Sequence, residues 1–345
     1  MPAAVVCLGE ALALLPELPA DGPPDASSAL SASALAAASA LPAGAELNVA
    51  MGLAAAGVAA AWVGRVGDDP LGAFLVGELR DHGVDTGGIQ VDAGRPTGCY
   101  AKASDVDADG QPATRMLYRR AGSAASAMDP GFLDVPVVRE RMASARIVHT
   151  SGITAAISAT SAAMLRELLV ARRVDGPLTS FDINWREQMW PDGDPAVVVE
   201  LAGAADIVLV GADEARRVFG ADSPAALRAL LPGPRLVVVK DGAREAFAVD
   251  RHGGVVAQPA LRVDVVEPVG AGDAFAAGLL TGVLRDEPVR RCLRRGHLGA
   301  AAVLTIEGDS APPLDAALLD VSDREWAQVH VRSGDTRGRD EPVAR

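Results

Sequence analysis

The run Val269-Gly270-Ala271-Gly272-Asp273-Ala274-Phe275 brings two glycines, an acid and the start of an apolar helix together. Gly270 and Gly272 let successive backbone N–H groups converge without Cβ obstruction. At a helix N-terminus those N–H groups lack intrahelical partners and sit at the positive end of the helix dipole, so the turn is an anion site. A phosphoryl group in transfer is such an anion. Asp273, in the first helical turn, can accept the proton of an attacking hydroxyl while the backbone of residues 270–273 carries the phosphoryl charge. The same acid also suits a helix start on electrostatic grounds alone, worth about 0.3–1 kcal/mol, and local chemistry does not choose between the two. A dinucleotide-binding fingerprint fits poorly, because Phe275 stands at the third glycine position and the turn comes late in the chain. No GxxxxGK[ST] phosphate loop is present.

A second stretch bears on that choice. Gly44-Ala45-Glu46-Leu47-Asn48-Val49-Ala50 lies over 200 residues upstream of Glu267-Pro268-Val269-Gly270-Ala271-Gly272-Asp273-Ala274-Phe275. The downstream run resembles the C-terminal signature of ribokinase-like (phosphofructokinase-B-type) carbohydrate kinases, and the upstream run resembles their N-terminal sugar-binding signature. The two stand in the expected order, and the resemblance covers residues 4–312. Within the family, Gly9-Glu10-Ala11, Gly94-Arg95-Pro96-Thr97-Gly98, Tyr118-Arg119-Arg120, Ser151-Gly152-Ile153 and Phe181-Asp182-Ile183-Asn184-Trp185-Arg186 resemble stretches of 2-keto-3-deoxygluconate kinases.

The resemblance implies ATP as phosphoryl donor, Mg2+ as its counterion and a sugar acid as acceptor. Asp273 is then the general base, and Gly270, Ala271 and Gly272 form the phosphoryl cradle. Asn48 is expected at the sugar hydroxyls, with Gly44 allowing close backbone approach. A sugar acid needs a cationic partner for its carboxylate, which a planar guanidinium matches well. Arg119 and Arg186 are the candidates, with Arg120 the alternative to Arg119. Tyr100 and Lys102 alternate onto one strand face and are expected to reach the sugar from a lid, beside Tyr118.

On the nucleotide side, Asn184 and Arg186 follow an apolar strand, at the end where open α/β sheets build ligand sites. By resemblance they approach the ATP phosphates or the sugar acid. Lys240 and Gly242 resemble the family's nucleotide-side loop. Glu214 resembles the glutamate of an Asn-x-x-Glu magnesium motif and would hold Mg2+ through water. Two positions depart from the family. Gly211 replaces the Asn of that motif, and His297, in Gly296-His297, stands where Ala-Asn is common near the adenine.

Composition narrows the alternatives. The formal charge is −13, and no basic run marks a nucleic-acid surface. Arg285, Arg290, Arg291, Arg294 and Arg295 have helical spacing and read as a solvated helix face. Cys7, Cys99 and Cys292 are widely spaced with no zinc pattern, which fits a reducing cytoplasm. No signal peptide and no apolar stretch long enough for a membrane span is seen. Two rival readings remain: a kinase for a neutral sugar or nucleoside, and a non-catalytic sugar- or nucleotide-binding regulator, which Gly211 and His297 motivate and the intact Gly-Ala-Gly-Asp turn opposes.

The elements that must position these residues alternate. Val5–Glu10, Ala61–Gly64, Ile147–His149, Thr179–Ile183, Ile207–Val210 and Leu236–Lys240 are continuous apolar runs separated by helical patterns. That pattern implies a parallel sheet covered on both faces. Residues 245–265 read as antiparallel strands, and two Ala-rich helices follow near 271–284 and 288–304. The expected fold is a three-layer α/β/α sandwich of ribokinase-like type with a central, mostly parallel sheet. A small β-sheet lid comes from inserted elements at about 12–43 and 89–120. One kinase domain spans 1–330, and the polar tail 331–345 is expected to be disordered. By resemblance, lid strands pair between subunits, so a homodimer is expected.

Overall fold

The computed structural model describes residues 2–18, 39–106, 112–190, 192–309 and 311–334. Their main sheet has eight strands in the order Val255–Pro259, Glu245–Asp250, Leu236–Asp241, Ile207–Gly211, Leu178–Asp182, Ile147–Ser151, Val5–Leu8, Ala60–Val63. Every pairing from Ala60–Val63 to Leu236–Asp241 is parallel, and the last two strands turn back antiparallel.

The apolar runs explain this arrangement. Along a strand, alternate residues face opposite sides, and here both sides are buried. Val5, Cys7, Ile207 and Leu209 join one core with Trp62, Met51 and Phe275. Val6, Leu8, Val208 and Val210 join another with Phe132, Met164 and Phe181. Two cores with the sheet between them make the three-layer sandwich. Strand order reverses between Val5–Leu8 and Ile147–Ser151. Outside the carboxyl ends of such strands the sheet leaves a crevice where ligands bind.

A four-stranded sheet, Leu41–Ala43, Leu12–Leu15, Cys99–Val106, Pro112–Arg119, covers that crevice as a lid. Its last two strands pair antiparallel, with Tyr100 opposite Tyr118 and Cys99 opposite Arg119. Most of the 19–43 segment, and most of the turn after Asp105, fall outside the described residues. Among the described residues no helix is long and apolar enough to cross a membrane.

Three expectations change. Arg262–Val263 does not continue the antiparallel meander but pairs parallel with His330–Val331. Val331, read as the start of the tail, is therefore buried against Leu261, Leu298 and Trp326. Residues from 335 onward lie outside the described set. The arginine-rich face of the Val289–Leu304 helix is also not simply solvated. Arg294 is buried, donating to the carbonyls of Leu319 and Val321 and to Asp323, with its guanidinium 4.8 Å from the centre of the Trp326 ring. That face seats the C-terminal segment. Helices at Pro136–Ser144 and Gly152–Ile157 add to the sequence reading.

Candidate active site

The helix Ala271–Leu284 begins at Gly270, whose φ of 79° is left-handed. A Cβ there would also lie about 3.0 Å from Asp309, so both conformation and space call for glycine. The first intrahelical bond runs from Ala274 N–H to the Gly270 carbonyl, which leaves the preceding N–H groups for an anion. Asp273 is the third helical residue. Its Oδ2 accepts from Asn48 Nδ2 at 2.9 Å, and the same amide lies 3.4 Å from Asp309 Oδ2. Burial pushes the Asp273 carboxyl up to about 7. The Asn48 bond and Lys240 oppose the rise, and the charges of Asp182 and Asp309 add to it. A carboxylate poised near neutrality is suited to act as a general base.

Asn48 reaches this place because the helix Ala45–Ala55 starts at Gly44, where φ is 135° and a Cβ would come within 2.4 Å of the Glu10 carbonyl. The first signature thus packs its backbone against the end of the first strand and points Asn48 at the Gly270–Asp273 turn.

Behind the turn, Lys240, next to last in its strand, holds Nζ 2.6 Å from Asp182 Oδ2. Burial works against the lysine's charge, but Asp182 and Glu214 outweigh it and raise its pKa. His149, beneath the pair, is held neutral, with its pKa pushed down to about 4 chiefly by burial. A Cβ on Gly272 would lie 3.6 Å from Lys240 Nζ. The ammonium therefore stands beside the anion site.

Glu214 is engaged by the backbone. Oε2 accepts from Gly211 N–H at 2.7 Å and Oε1 from Trp185 N–H at 2.8 Å, with Arg186 Nη1 3.6 Å from Oε1. Gly211 can make its contact through the main chain because the glutamate reaches back to it. Among the described residues no cluster of three or more His, Cys, Asp or Glu could hold a metal. One carboxylate with a lone pair left on each oxygen fits a hydrated Mg2+, which binds through few protein ligands and the phosphates it accompanies. Asn184, beside it, has a left-handed φ of 41°, which Asn tolerates.

At the lid end, Glu10 is almost fully buried and receives Arg120 Nη2 and, at 3.3 Å, Ser123 Oγ. Burial raises the Glu10 pKa, and Arg120 opposes that rise. Among the described residues Arg120 Nη1 meets only the Met189 thioether, a weak acceptor, so it keeps donor capacity for a ligand. The Tyr100 and Tyr118 rings stack at 5.2 Å, and the Arg120 guanidinium lies 5.4 Å from the Tyr118 centroid.

These groups surround one cavity of about 730 Å³, with Asp273 on its floor, Arg120, Tyr100 and Tyr118 toward the lid, and Arg186 beside Glu214. A second, largely apolar cavity of about 320 Å³ shares Lys240, Gly272 and Pro268 with it and extends past Gly242, Phe275 and His297. Two compartments meeting at a phosphoryl cradle suit a donor and an acceptor.

Comparison with known proteins agrees. The pfkB family carbohydrate kinase model matches residues 5–317. The chain belongs to the pfkB family of carbohydrate kinases. It is accordingly a phosphotransferase with an alcohol as acceptor. It is 35% identical over 274 residues to a 2-dehydro-3-deoxygalactonokinase of Haloferax volcanii, covering 78% of this chain and 83% of the relative. It is 34% identical over 273 residues to a 2-dehydro-3-deoxygluconokinase of Bacillus subtilis, covering 77% and 81%. A crystal structure of aminoimidazole riboside kinase from Salmonella enterica, complexed with aminoimidazole riboside and an ATP analog, superposes with a TM-score of 0.67 at 26% identity, covering 88% of this chain and 95% of that one.

Within this pfkB kinase, Asp273, Gly270, Gly272, Gly44, Asn48, Tyr100, Tyr118, Asn184, Arg186, Glu214 and Lys240 line the larger cavity, and Ala271, Gly242 and His297 line the second one. Two expectations on the lid are corrected. Arg119 lies opposite Cys99, on the strand face away from Tyr118, and it is Arg120, just past the strand end, that enters the cavity. Lys102 shares the Tyr100 face, but two residues of strand carry it about 7 Å further along. There it pairs with Glu267 at 2.8 Å, tying the lid to the segment leading into the Gly270–Asp273 turn. The sequence reading did not assign Glu10, Asp182 or Asp309. Glu10 and Asp182 had a usable signal, an acid ending or just following a continuously apolar strand. Asp309 had none.

Asp309 provides a test of the pKa argument. Its charge raises the Asp273 pKa, and a general base at Asp273 would act as the carboxylate. Asp309→Asn should therefore move the acid limb of the kcat/KM–pH profile to lower pH. An unmoved or upward-shifted limb would contradict this electrostatic account.

Proposed function

We propose that this kinase transfers the γ-phosphoryl group of ATP to a hydroxyl of a sugar acid, with 2-keto-3-deoxygluconate as the preferred acceptor and its 6-phosphate and ADP as products. The observation that carries the proposal is two guanidiniums, Arg120 and Arg186, in the cavity that has Asp273 on its floor. Both can still donate to a carboxylate, since Arg120 Nη1 has only the Met189 thioether as its partner among the described residues and Arg186 is largely exposed. The names of the Haloferax and Bacillus relatives support the same substrate class.

Asn48, Asp309 and the tyrosine pair orient the sugar so that its terminal hydroxyl meets Asp273. Asp273 removes the hydroxyl proton, the alkoxide oxygen bonds to the γ-phosphorus, and the bond to the departing ADP oxygen breaks. The free N–H groups of residues 271–273, with Lys240, hold the charge on the transferring group. Mg2+, held through water by Glu214, would neutralise phosphate charge. The lid excludes water, so that ATP is not spent on hydrolysis.

A coupled ADP-release assay over 2-keto-3-deoxygluconate, its galacto epimer, fructose, ribose and adenosine tests the reading. The highest kcat/KM is expected for the two sugar acids. Turnover with neutral acceptors alone would remove the sugar-acid assignment, and no turnover with any acceptor would remove the kinase reading for this chain.

A further inference from the structure

The Cys99–Val106 strand carries Tyr100 and Lys102 on one face, opposite Tyr118 and Met116 of the next strand. Tyr100, Met116 and Tyr118 line the cavity that has Asp273 on its floor. Lys102 reaches past the rim of that cavity, and its Nζ lies 2.8 Å from Glu267 Oε2, the two side chains being 30% and 24% exposed. Glu267 stands shortly before Gly270. Up to that point the chain is anchored by its backbone. Asp264 N–H donates to the Val331 carbonyl and Val266 N–H to the Leu304 carbonyl. From Glu267 onward this anchoring stops. Pro268 has no N–H to give. Among the described residues, the Lys102 bond is the one hydrogen bond that ties residues 267–270 to anything outside the helix they lead into.

The short stretch that aims the anion-binding N–H groups is therefore held from the lid. We propose that Lys102 and Glu267 are a positioning pair that couples the lid to the phosphoryl cradle. The strand that sets Tyr100 over the acceptor also fixes the chain entering the turn, so the N–H groups of residues 271–273 are aimed best when an acceptor keeps the lid seated. Neither side chain touches the reacting atoms. A second route from the pair to the chemistry runs through Asp309, which lies beside Asn48. Burial raises the Asp309 pKa, Lys102 opposes the rise, and Glu267 adds to it. The two routes differ in sign. Acting through the charge on Asp309, the loss of Lys102 and the loss of Glu267 have opposite effects. Acting as a pair, they have the same effect.

The inference rests on the sugar-acid kinase reading above, and the test keeps the two apart. Titration calorimetry on the full chain measures the binding of 2-keto-3-deoxygluconate, first alone and then with saturating ADP, Mg2+ and aluminium fluoride, which mimic the phosphoryl group in transfer. By linkage, the factor by which the mimic tightens the acid is also the factor by which the acid tightens the mimic. In the intact chain that factor should be about fivefold or more. Lys102→Met should bring it below about twofold, a loss within what a partly exposed ion pair supplies. The affinity for the acid alone should change less than about twofold. Glu267→Gln should match Lys102→Met, and the double variant should lose no more than either, because one interaction is removed in all three. A pair that only braces the fold would lower Tm and weaken the acid equally in both titrations, leaving the factor intact, and that result overturns the proposal. So do a factor near one in the intact chain, opposite shifts in the two single variants, and losses that multiply in the double variant. An intact chain that failed to bind the acid or the mimic would remove the sugar-acid kinase reading and the pair's role with it, whereas binding of both without coupling removes the pair's role alone.

Discussion

Asp273→Asn is expected to lower kcat by about 10³-fold, within the range that a positioned general base contributes, while leaving the KM for ATP nearly unchanged. The substitution is isosteric. The Asn side-chain oxygen can keep the bond from Asn48 Nδ2, now 2.9 Å long, and the helix start keeps its shape. What is lost is the capacity to take a proton. Steady-state kinetics with saturating acceptor would measure this, and a kcat within tenfold of the parent would return Asp273 to the lesser part of a helix-start acid. The parent should show kcat/KM rising tenfold per pH unit below about 7 and levelling above it, because only the carboxylate is the base and burial holds its pKa near that value. The same shift has a stability consequence of definite sign. An acid whose pKa is higher in the folded than in the unfolded protein destabilises the fold once the unfolded chain ionises. That penalty grows from about pH 4 to pH 7 and is constant above. Asp273→Asn should therefore raise Tm at pH 8 and change it little near pH 4. Activity lost with stability gained is the signature of a group kept in an unfavourable setting for its chemistry.

Much of the frame was legible because its physics is local. Val, Ile and Leu in unbroken runs make strands buried on both faces, so Ile207–Gly211 and Leu236–Asp241 could be placed to within a residue. Gly270 and Asp273 announced a helix start with an open anion site. Other features depend on what lies across a gap. The face of the Pro112–Arg119 strand is set by the pairing of Tyr118 with Tyr100, and Tyr118 is about half exposed, so hydrophobicity gives no phase to the alternation. Arg120 follows the strand's last residue, two positions past Tyr118, and so lines the same cavity as Tyr118. Lys102 has the right face but lies too far along it. Asp309 reaches Asn48 across 261 positions, and no spacing rule spans that distance. The Pro136–Ser144 helix buries only Val138 and Met142, too few positions to set a 3.6-residue period. His297 stands out in the sequence only as a departure from a family pattern, and its contact with the Gln258 carbonyl spans 39 positions.

The arginine at the lid gives the second large effect. Arg120→Gln should raise KM for a sugar acid by about 30-fold or more, since hydrogen bonds to a charged group contribute about 1.5–3 kcal/mol each. Arg119→Gln, on the opposite strand face, should change it less than threefold, on the scale of a surface substitution. Arg120→Lys keeps the charge but not the fork, and should recover only part of the loss. One complication is built into the site. Glu10 is buried beneath Arg120, and removing the cation leaves that carboxylate without its main partner, which is destabilising by about 3–5 kcal/mol for a fully buried pair. A weakened fold would then mimic weakened binding. Arg120→Gln combined with Glu10→Gln removes both charges and restores neutrality, so it separates the causes. If the guanidinium binds the acceptor's carboxylate, the double variant regains thermal stability and still has a high sugar-acid KM. If Arg120 serves only to neutralise Glu10, the double variant regains both. Fructose turnover, where present, distinguishes the cases again: a carboxylate-binding arginine leaves its KM within a few-fold in the double variant, whereas a purely structural arginine affects neutral and acidic acceptors alike.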